Sequence, residues 1–247
     1  MKIALIGYGK MGKTIESIAV SRGHVIGMII DIDNAGQIDE LRGRDIQAAI
    51  EFSNPGAAFH NIWSCIDQGI PVVSGTTGWL SKLPEINRFC LDKKGAFLYA
   101  SNFSIGVNLF FLINKLFAGI MNAFPDYEVS IEEIHHTEKL DAPSGTAISL
   151  VESIIKQLER KNNWSTKRGD PGTIMVTSKR EAQVAGIHSI TYGSKQDRMV
   201  LTHEAFSREG FAVGAIQAAE WLLGKQGVYN IEDMLRDVIP GIHPDGN

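Results

Sequence analysis

The amino-acid sequence predicts an α/β fold, in which a doubly wound parallel sheet is followed by a second, α+β domain built on a mixed sheet. Two observations support this prediction. Short apolar runs alternate with helical stretches through the first part of the chain, which is the pattern of a parallel sheet covered by helices. From Tyr127 onward the runs become longer and rich in β-branched residues, and they flank a single helix.

Composition narrows the classes of function. The 247 residues are 44% hydrophobic, so the chain can bury a sizeable core, and 28 acidic against 24 basic side chains give a net charge of -4. This balance argues against a nucleic-acid or membrane-surface partner and favours a small-molecule ligand. The two cysteines, Cys65 and Cys90, have no CxxC spacing, which predicts reduced packing residues in a cytoplasmic protein. The apolar stretch 104–124 contains Asn108 and Lys115, so it predicts a buried helix rather than a membrane span.

The first βαβ unit predicts a dinucleotide site. A strand "KIALIG" leads into the loop "GYGKMG", a helix "KTIESIAVSRG" follows, and "HVIGMIID" is again strand-like. The spacing of Gly7, Gly9 and Gly12 fits a tight turn, a close approach of pyrophosphate to the backbone, and close packing of helix on strand. Such a loop alone is weak evidence for a nucleotide site and could be an ordinary turn, but here Asp31 follows at the end of the next strand. The sequence therefore predicts a Rossmann-type domain whose cofactor-binding loop comprises Gly7, Tyr8, Gly9, Lys10, Met11 and Gly12.

Asp31 bears on the choice of cofactor. A carboxylate at this position accepts hydrogen bonds from the ribose of NAD and repels the additional phosphate of NADP. The next residues, Ile32 and Asp33, supply no arginine for that phosphate, although Lys10 offers one positive charge. The prediction is NADH or NADPH, with NADH favoured.

Alternation continues through the strand "IQAAIEFSNP", the helix "AAFHNIWSCIDQG", the strand "IPVVSG", the helix near "LPEINRFCLDKKG" and the strand "AFLYASNFS". Ligands of doubly wound sheets bind at the carboxyl ends of the strands. Two loops fall there, and each by itself could be a plain turn. They predict further cofactor contacts from Gly75, Thr76, Thr77, Ala100, Ser101, Asn102 and Phe103.

The stretch "EIHHTEKLDAPSGTA", residues 133–147, concentrates ionisable side chains before a helix start. On a strand, His135 and His136 point to opposite faces, so they are not expected to share a metal ion, and no metal is predicted. Ser144 is suited to cap the helix, whose first NH groups, at Gly145 and Thr146, form a site for a carboxylate. Lys139 adds a charge or a proton, so the stretch suits an acidic substrate. The alternative is a solvated loop that only caps a helix.

This stretch closely resembles the signature of dihydrodipicolinate reductases, and the resemblance extends to "GYGKMG", "GTTGW", "SNFSIGVN" and "HEAFSREGFAVGAIQAA". It implies an NAD(P)H-dependent oxidoreductase that reduces 4-hydroxy-tetrahydrodipicolinate, a cyclic imine dicarboxylate, in the diaminopimelate pathway of lysine biosynthesis. It also implies that His135 is the acid-base residue, that Lys139 donates the proton, and that His136, Gly145 and Thr146 bind the substrate carboxylates. Homotetramers formed through the sheet of the second domain are common in the family.

Two positions depart from the family pattern. Ile187 stands where many members carry an acid before the histidine, here His188, and no arginine follows the ribose-binding Asp31. Two other functions are compatible with the glycine loop: another Rossmann-type dehydrogenase, or a non-catalytic NAD sensor. Dehydrogenases of other families are not expected to share the 133–147 stretch, and a sensor would not need both His135 and Lys139.

The predicted domains are a dinucleotide-binding domain, 1–103 plus 208–247, and a substrate-binding and oligomerisation domain, 104–207. The second contains the helix "GTAISLVESIIKQLER" and the strands "VAGIHSITYG" and "DRMVLTHEAF". The last helices, near "GFAVGAIQAAEWLLGK" and "IEDMLRDVI", are assigned to the first domain.

Overall fold

The structure, a computed structural model, describes residues 1–167 and 169–240. The chain divides into two compact units. The first comprises Met1–Ile105 and the residues from Glu209 onward, and the second comprises Gly106–Arg208. Residues 241–247 of the first predicted domain and residue 168 of the second lie outside the described part.

The first unit is built on a six-stranded sheet in which every pairing is parallel. Its strands are β1 (Lys2–Ile6), β2 (Val25–Ile30), β3 (Ala48–Glu51), β4 (Val72–Ser74), β5 (Ala96–Tyr99) and β11 (Gly227–Asn230). Their order in the sheet is β11-β5-β4-β3-β1-β2. The central strands β3 and β4 are buried throughout, as expected for a sheet with helices on both faces.

Five α-helices belong to the described part of this unit: α1 (Lys10–Ser21), α2 (Pro55–Asp67), α3 (Leu83–Asp92), α6 (Glu209–Leu222) and α7 (Ile231–Val238). Helix α1 packs beside α6, and α2 packs beside α3. A buried apolar core joins the sheet to α2 and α3, and Cys65 and Cys90 belong to it as free, buried thiols. The predicted doubly wound parallel sheet is confirmed.

The second unit carries a five-stranded sheet with the order β10-β9-β6-β8-β7. Strand β6 (Glu128–His135) lies at its centre, parallel to β8 (Thr173–Arg180) and antiparallel to β9 (Gly186–Gly193). Strands β7 (Asn163–Ser165) and β10 (Arg198–Ala205) form the edges. Because β6 is parallel to one neighbour and antiparallel to the other, the predicted mixed sheet is confirmed.

Helices α4 (Ile105–Met121) and α5 (Gly145–Ile155) cover one face of this sheet. Side chains of β6 alternate, so that Ile131, Glu133 and His135 share the buried face. Most of that face is apolar and packs against Leu150 and Ile154 of α5. The apolar core therefore gives way to ionisable residues at the carboxyl end of β6, beside the start of α5.

Three strands were not predicted: β7, β8 and β11. Strands β7 and β11 have three and four residues, too few for a periodic signal, and β8 ends in basic residues that have no strand pattern. Their extended conformation depends on pairing: β7 pairs with β8, β8 with β6, and β11 with β5. The segment Ile32–Arg44, which had no prediction, is 3₁₀-helical.

Helix α4 confirms the buried helix predicted from the most apolar part of the chain. Its Asn114 is fully buried and donates a hydrogen bond to the carbonyl of Leu150, 3.2 Å away. Among residues 1–167 and 169–240, no helix combines the length and the apolar character needed to cross a membrane.

Candidate active site

The glycine loop forms the turn between β1 and α1, and its glycines are required for different reasons. Gly7 has a φ of +91°, and a Cβ placed on it would lie 2.2 Å from the carbonyl oxygen of Phe52. A Cβ on Gly12 would lie 2.2 Å from the carbonyl oxygen of Gly7, so this glycine allows the helix to pack on the turn. Gly9, by contrast, faces open space. This arrangement fits a pyrophosphate placed over Gly9, at the amino end of α1.

Gly7 and Asp31 line the same cavity, which has a volume of about 110 Å³. Asp31 follows β2, and its backbone NH donates to the Asn34 side chain at 2.7 Å. Its carboxylate is on the exposed surface, where a ribose hydroxyl can reach it. The cavity wall also includes residues that sequence reasoning did not select, namely Ser53, Asn54, Ala57 and Asn61.

The second predicted loop lines another cavity of about 290 Å³ in the same unit. Gly75, Thr76 and Thr77 face Met11 of the glycine loop across it. A Cβ on Gly75 would lie 2.2 Å from the ring of Phe52, so only glycine fits beside this aromatic ring. The structure therefore brings these parts of the predicted cofactor site together.

The third predicted segment, residues 100–103, follows β5 in the same sheet. Ala100 and Phe103 are buried, and the Phe103 ring packs against Phe52 with centroids 5.6 Å apart. Asn102 accepts a hydrogen bond from the Ser104 NH at 2.9 Å, while Ser101 is exposed. Phe52 therefore joins this segment to the loop at Gly75.

Glu51, at the end of β3, is a buried acid that the sequence analysis did not select. Its carboxylate accepts hydrogen bonds from the hydroxyls of Ser74 at 2.6 Å and Thr76 at 2.9 Å, and from the NH of Ser53 at 3.0 Å. The Glu51 side chain thus holds together the loop after β3, at Ser53, and the loop after β4, at Thr76, both of which line the cavities. The available signal was an acid at the end of an otherwise apolar strand, "AAIE".

In the second unit, pairing across three strands gathers the ionisable residues. On β6, Glu133 lies opposite His188 of β9, and His135 lies opposite Arg180 of β8. The Glu133 carboxylate is fully buried and is hydrogen-bonded to Nδ1 of His135. Its other oxygen accepts from the Arg180 guanidinium at 3.0 Å. Glu133 therefore lies between an imidazole and a fixed cation.

These contacts determine the protonation of both groups. Burial alone would raise the pKa of the Glu133 carboxyl, but the Ser178 hydroxyl, Arg180 and His135 hold that pKa below its usual range. Burial lowers the pKa of His135, Glu133 opposes this shift, and the charges of Lys139 and Arg180 add to it. Near neutral pH the pair is therefore an ionised carboxylate and a neutral imidazole that donates from Nδ1.

His188 lies against His135, with ring centroids 5.0 Å apart and the rings edge to face. Burial, with the nearby His135, lowers the pKa of His188 to about 4. Its Nε2 is 3.1 Å from the hydroxyl of Ser144, whose oxygen also accepts the Ala147 NH at 3.2 Å as the cap of α5. The hydrogen bond between the Ser144 hydroxyl and Nε2 holds this histidine in place although residue 187 is not an acid.

The loop between β6 and α5 carries the remaining predicted residues. Lys139 pairs with Asp141 at 2.8 Å and keeps about a fifth of its side chain exposed (22%). His136 follows the end of β6, and its Nδ1 is buried without a hydrogen-bond partner among the described residues. Gly145 is exposed and Thr146 half-buried in the first turn of α5. One unpaired ring nitrogen and the first turn of α5 therefore lie in the segment where an anion is expected to bind.

A metal ion could be bound by His135 and His188 rather than by the pair His135 and His136 considered from the sequence. Donor atoms of Glu133, His135 and His188 lie within 4.8 Å of one another. However, Arg180 already neutralises Glu133, and a second cation there would be repelled. The absence of a metal stays a prediction.

Arg180 was also missed by sequence reasoning, because β8 was not predicted. Its guanidinium donates to the backbone carbonyls of Asp141 at 2.6 Å and Lys139 at 3.3 Å, besides its contact with Glu133. It therefore connects the buried carboxylate to the loop that carries Lys139.

Comparison with known proteins identifies the family. The model described as "Dihydrodipicolinate reductase, N-terminus" matches residues 1–103, and "Dihydrodipicolinate reductase, C-terminus" matches residues 106–235. A 4-hydroxy-tetrahydrodipicolinate reductase from Christiangramia forsetii is 47% identical over 238 residues, covering 96% of this chain and 99% of the relative. The enzyme of that name from Neisseria gonorrhoeae is 32% identical over 228 residues, covering 89% and 83%.

Solved structures share the fold. A dipicolinate-bound dihydrodipicolinate reductase from Paenisporosarcina sp. TG-14 matches with a TM-score of 0.77 at 22% identity, over 95% of this chain and 99% of its own. A probable dehydrogenase from Thermotoga maritima matches with a TM-score of 0.54 at 10% identity, over 94% and 92%. Given both family models and the relative that is 47% identical, the chain belongs to the dihydrodipicolinate reductase family, the NAD(P)H-dependent oxidoreductases that act at the 4-hydroxy-tetrahydrodipicolinate step of lysine biosynthesis.

Proposed function

We propose that the chain reduces 4-hydroxy-tetrahydrodipicolinate to tetrahydrodipicolinate with NADH or NADPH, favouring NADH, and that His135 and Lys139 deliver the proton. The observation that carries this proposal is the cluster at the end of β6, where a carboxylate-bound imidazole adjoins the Lys139 loop and the start of α5. The bound nicotinamide supplies the hydride. The chain binds and orients the ring, excludes water and supplies the proton.

The substrate carboxylates are assigned to His136 and to the first NH groups of α5, at Gly145 and Thr146. The helix dipole and free NH groups favour an anion there. The imidazole of His136, whose buried Nδ1 has no hydrogen-bond partner among the described residues, is assigned to the same anion. Two carboxylates arriving beside His135 would also raise its pKa, so substrate binding itself prepares the imidazole to carry a proton.

The cofactor is assigned to the first unit. Its pyrophosphate is placed on the glycine loop, its ribose hydroxyls on Asp31, and the nicotinamide end near the loops that follow β4 and β5. This assignment rests on the open space at Gly9 and on the cavities that Asp31 and Thr76 line. The contacts proposed are Gly7, Tyr8, Gly9, Lys10, Met11, Gly12, Asp31, Gly75, Thr76, Thr77, Ala100, Ser101, Asn102 and Phe103.

The test is oxidation of NADH and of NADPH, followed by absorbance, with the unstable substrate generated in the cuvette from pyruvate and aspartate semialdehyde by the preceding synthase. We expect rapid oxidation that depends on the synthase and is faster with NADH. Cofactor binding without oxidation would contradict the proposal.

A stable planar dicarboxylate tests the anion site separately. We expect pyridine-2,6-dicarboxylate, the compound bound in the Paenisporosarcina reductase, to inhibit competitively with substrate. Benzoate, with one carboxylate, is the control and should bind far more weakly. Equal inhibition by both compounds would argue against paired carboxylate sites at His136 and α5.

We propose a cytoplasmic homotetramer assembled through the sheet of the second unit. Free thiols at Cys65 and Cys90 suit a reducing compartment, and Met175, Met199 and Val200 expose apolar surface on β8 and β10. Sedimentation equilibrium should give four chains, and Val200→Lys should reduce that number. A wild-type monomer would contradict the assembly.

A further inference from the structure

We propose that Glu133 and Arg180 are positioning residues for the reduction: Glu133 fixes the imidazole of His135 in one tautomer and orientation, and Arg180 ties that carboxylate to the loop of Lys139. The inference rests on the proposed roles of His135 and Lys139.

Glu133 has both carboxylate oxygens engaged at a fully buried position. One oxygen is hydrogen-bonded to Nδ1 of His135, and the other accepts a hydrogen bond from the Arg180 guanidinium at 3.0 Å. A buried carboxylate is costly unless it is paired, so the three side chains depend on one another. With Nδ1 committed to Glu133, Nε2 is the atom of His135 that is left to exchange a proton.

The orientation of the ring is also constrained by the neighbouring strand. A Cβ on Gly186 of β9 would lie 3.1 Å from Nε2 of His135 and 3.3 Å from its Cδ2, so the ring lies close against the glycine backbone. The ring of His188 packs edge to face on it at 5.0 Å. The contact with Glu133 thus selects the tautomer of a ring whose position is already limited by Gly186 and His188.

Arg180 provides the link to the loop. Its guanidinium reaches the Glu133 carboxylate and, through separate NH groups, the carbonyls of Lys139 and Asp141. The planar fork of arginine allows these divergent contacts, whereas the compact ammonium of lysine cannot reach all three acceptors together. The position of the Lys139 backbone is therefore coupled to the carboxylate that holds His135.

The same two strands carry a matched ion pair with no such contacts. Glu132 and Lys179, each one residue earlier, pair at 2.6 Å on the other face of the sheet, where 41% and 48% of their side chains are exposed. Exposed pairs of this kind contribute little to stability. Glu132→Gln is therefore the control for Glu133→Gln, since the chemical change and the strand are the same.

The experiment compares these two variants in the full-length protein. For Glu133→Gln we expect kcat to fall about 10- to 100-fold, as for other residues that orient a functional group, with a smaller change in KM and unchanged NADH affinity. The ring faces Glu133, Lys139, Arg180 and His188. Loss of the one negative charge among them should move the His135 titration, followed by NMR, about one unit or more to lower pH. Glu132→Gln should leave both quantities at wild-type values.

Arg180→Lys tests the second part of the proposal. Because the charge is kept, we expect the His135 titration to stay near the wild-type value while kcat falls, since the loop contacts are lost. Wild-type kcat in Arg180→Lys would remove Arg180 from the proposal. An unchanged titration and kcat in Glu133→Gln would remove Glu133.

A measurement on the unmodified protein keeps the inference testable if Glu133→Gln does not fold. Nitrogen-15 shifts of His135 should report the tautomer with the proton on Nδ1, and a proton on Nε2 instead would overturn the proposal. This result is independent of turnover. If His135→Ala retained full activity, the proposed role of His135 in proton transfer would fail, while the pairing of Glu133 with His135 could still be established in the unmodified protein.

Discussion

His135 and His136 are adjacent in the chain but have different surroundings, because strand β6 ends between them. The first is buried and bound to a carboxylate, whereas the second begins a loop and leaves Nδ1 without a partner among the described residues. This division matches the proposed roles, in which one histidine handles a proton and the other holds an anion. The sequence predicted both histidines on one strand with opposite faces, but the end of β6 at His135 is what separates two functions that the sequence places side by side.

Removing either proposed proton donor should affect turnover but not cofactor binding. We expect His135→Ala and Lys139→Ala each to reduce kcat by a factor on the order of hundreds, which is what a positioned acid contributes. NADH affinity, measured by fluorescence titration, should stay nearly unchanged because both residues lie in the second unit. Wild-type turnover in either variant would exclude that residue from the mechanism.

Asp31 is the residue at which the preference between the two cofactors can be changed. For Asp31→Asn we expect the ratio of kcat/KM for NADH to that for NADPH to fall about tenfold, because a charge-assisted hydrogen bond is weakened and repulsion of the phosphate is removed. Asp33→Asn, at an exposed acid two residues later, is the control. If both variants keep the wild-type ratio, Asp31 does not read the ribose.

In the turn from β1 to α1, substitutions at two glycines should have different effects, one on the stability of the protein and the other on cofactor binding. Gly12→Ala should destabilise the protein by about 1–3 kcal/mol, because its Cβ would meet the Gly7 carbonyl at 2.2 Å and the helix must shift. Gly9→Ala meets no atom within 4 Å, so it should fold normally and lose NADH affinity instead. Urea denaturation and fluorescence titration measure the two effects, and equal behaviour of the variants would refute this division.

Local patterns explain which elements were predictable. The glycine loop, Asp31 and the cap at Ser144 each follow from a few neighbouring residues whose chemistry suits one turn or helix start. Arg180 and Glu51 do not, since their importance arises from strand pairing that brings them to residues 47 and 23 positions away. Family resemblance supplied the proposed roles of His135 and Lys139, but it did not indicate what holds these residues in place.

At the scale of the whole molecule, buried neutral histidines make stability depend on pH. The pKa of His188 is about 4 in the folded protein, against 6.5 when unperturbed, and burial also lowers the pKa values of His135 and His203. At pH values between the folded and unfolded pKa of such a histidine, the unfolded chain binds a proton that the folded chain does not, so the free energy of unfolding falls as the pH falls. For His188 alone, the loss from above pH 6.5 down to pH 4 is about 3 kcal/mol, at 1.36 kcal/mol per pKa unit.

Urea denaturation between pH 4 and pH 8 measures this loss. His188→Gln should flatten the dependence, while His60→Gln, at an exposed position, should leave it unchanged. Identical curves for wild type and His188→Gln would show that His188 is not the group responsible.

The division of the chain also sets an order for folding during synthesis. The second unit is continuous, whereas the first draws on residues up to 105 and again from 209. Helix α6, which packs on α1 and on β3, β4 and β5, is translated only after the whole second unit. On the ribosome, the apolar surface that α6 covers therefore stays exposed while residues 106–208 are synthesised, which makes the nascent first unit prone to non-native association during that interval.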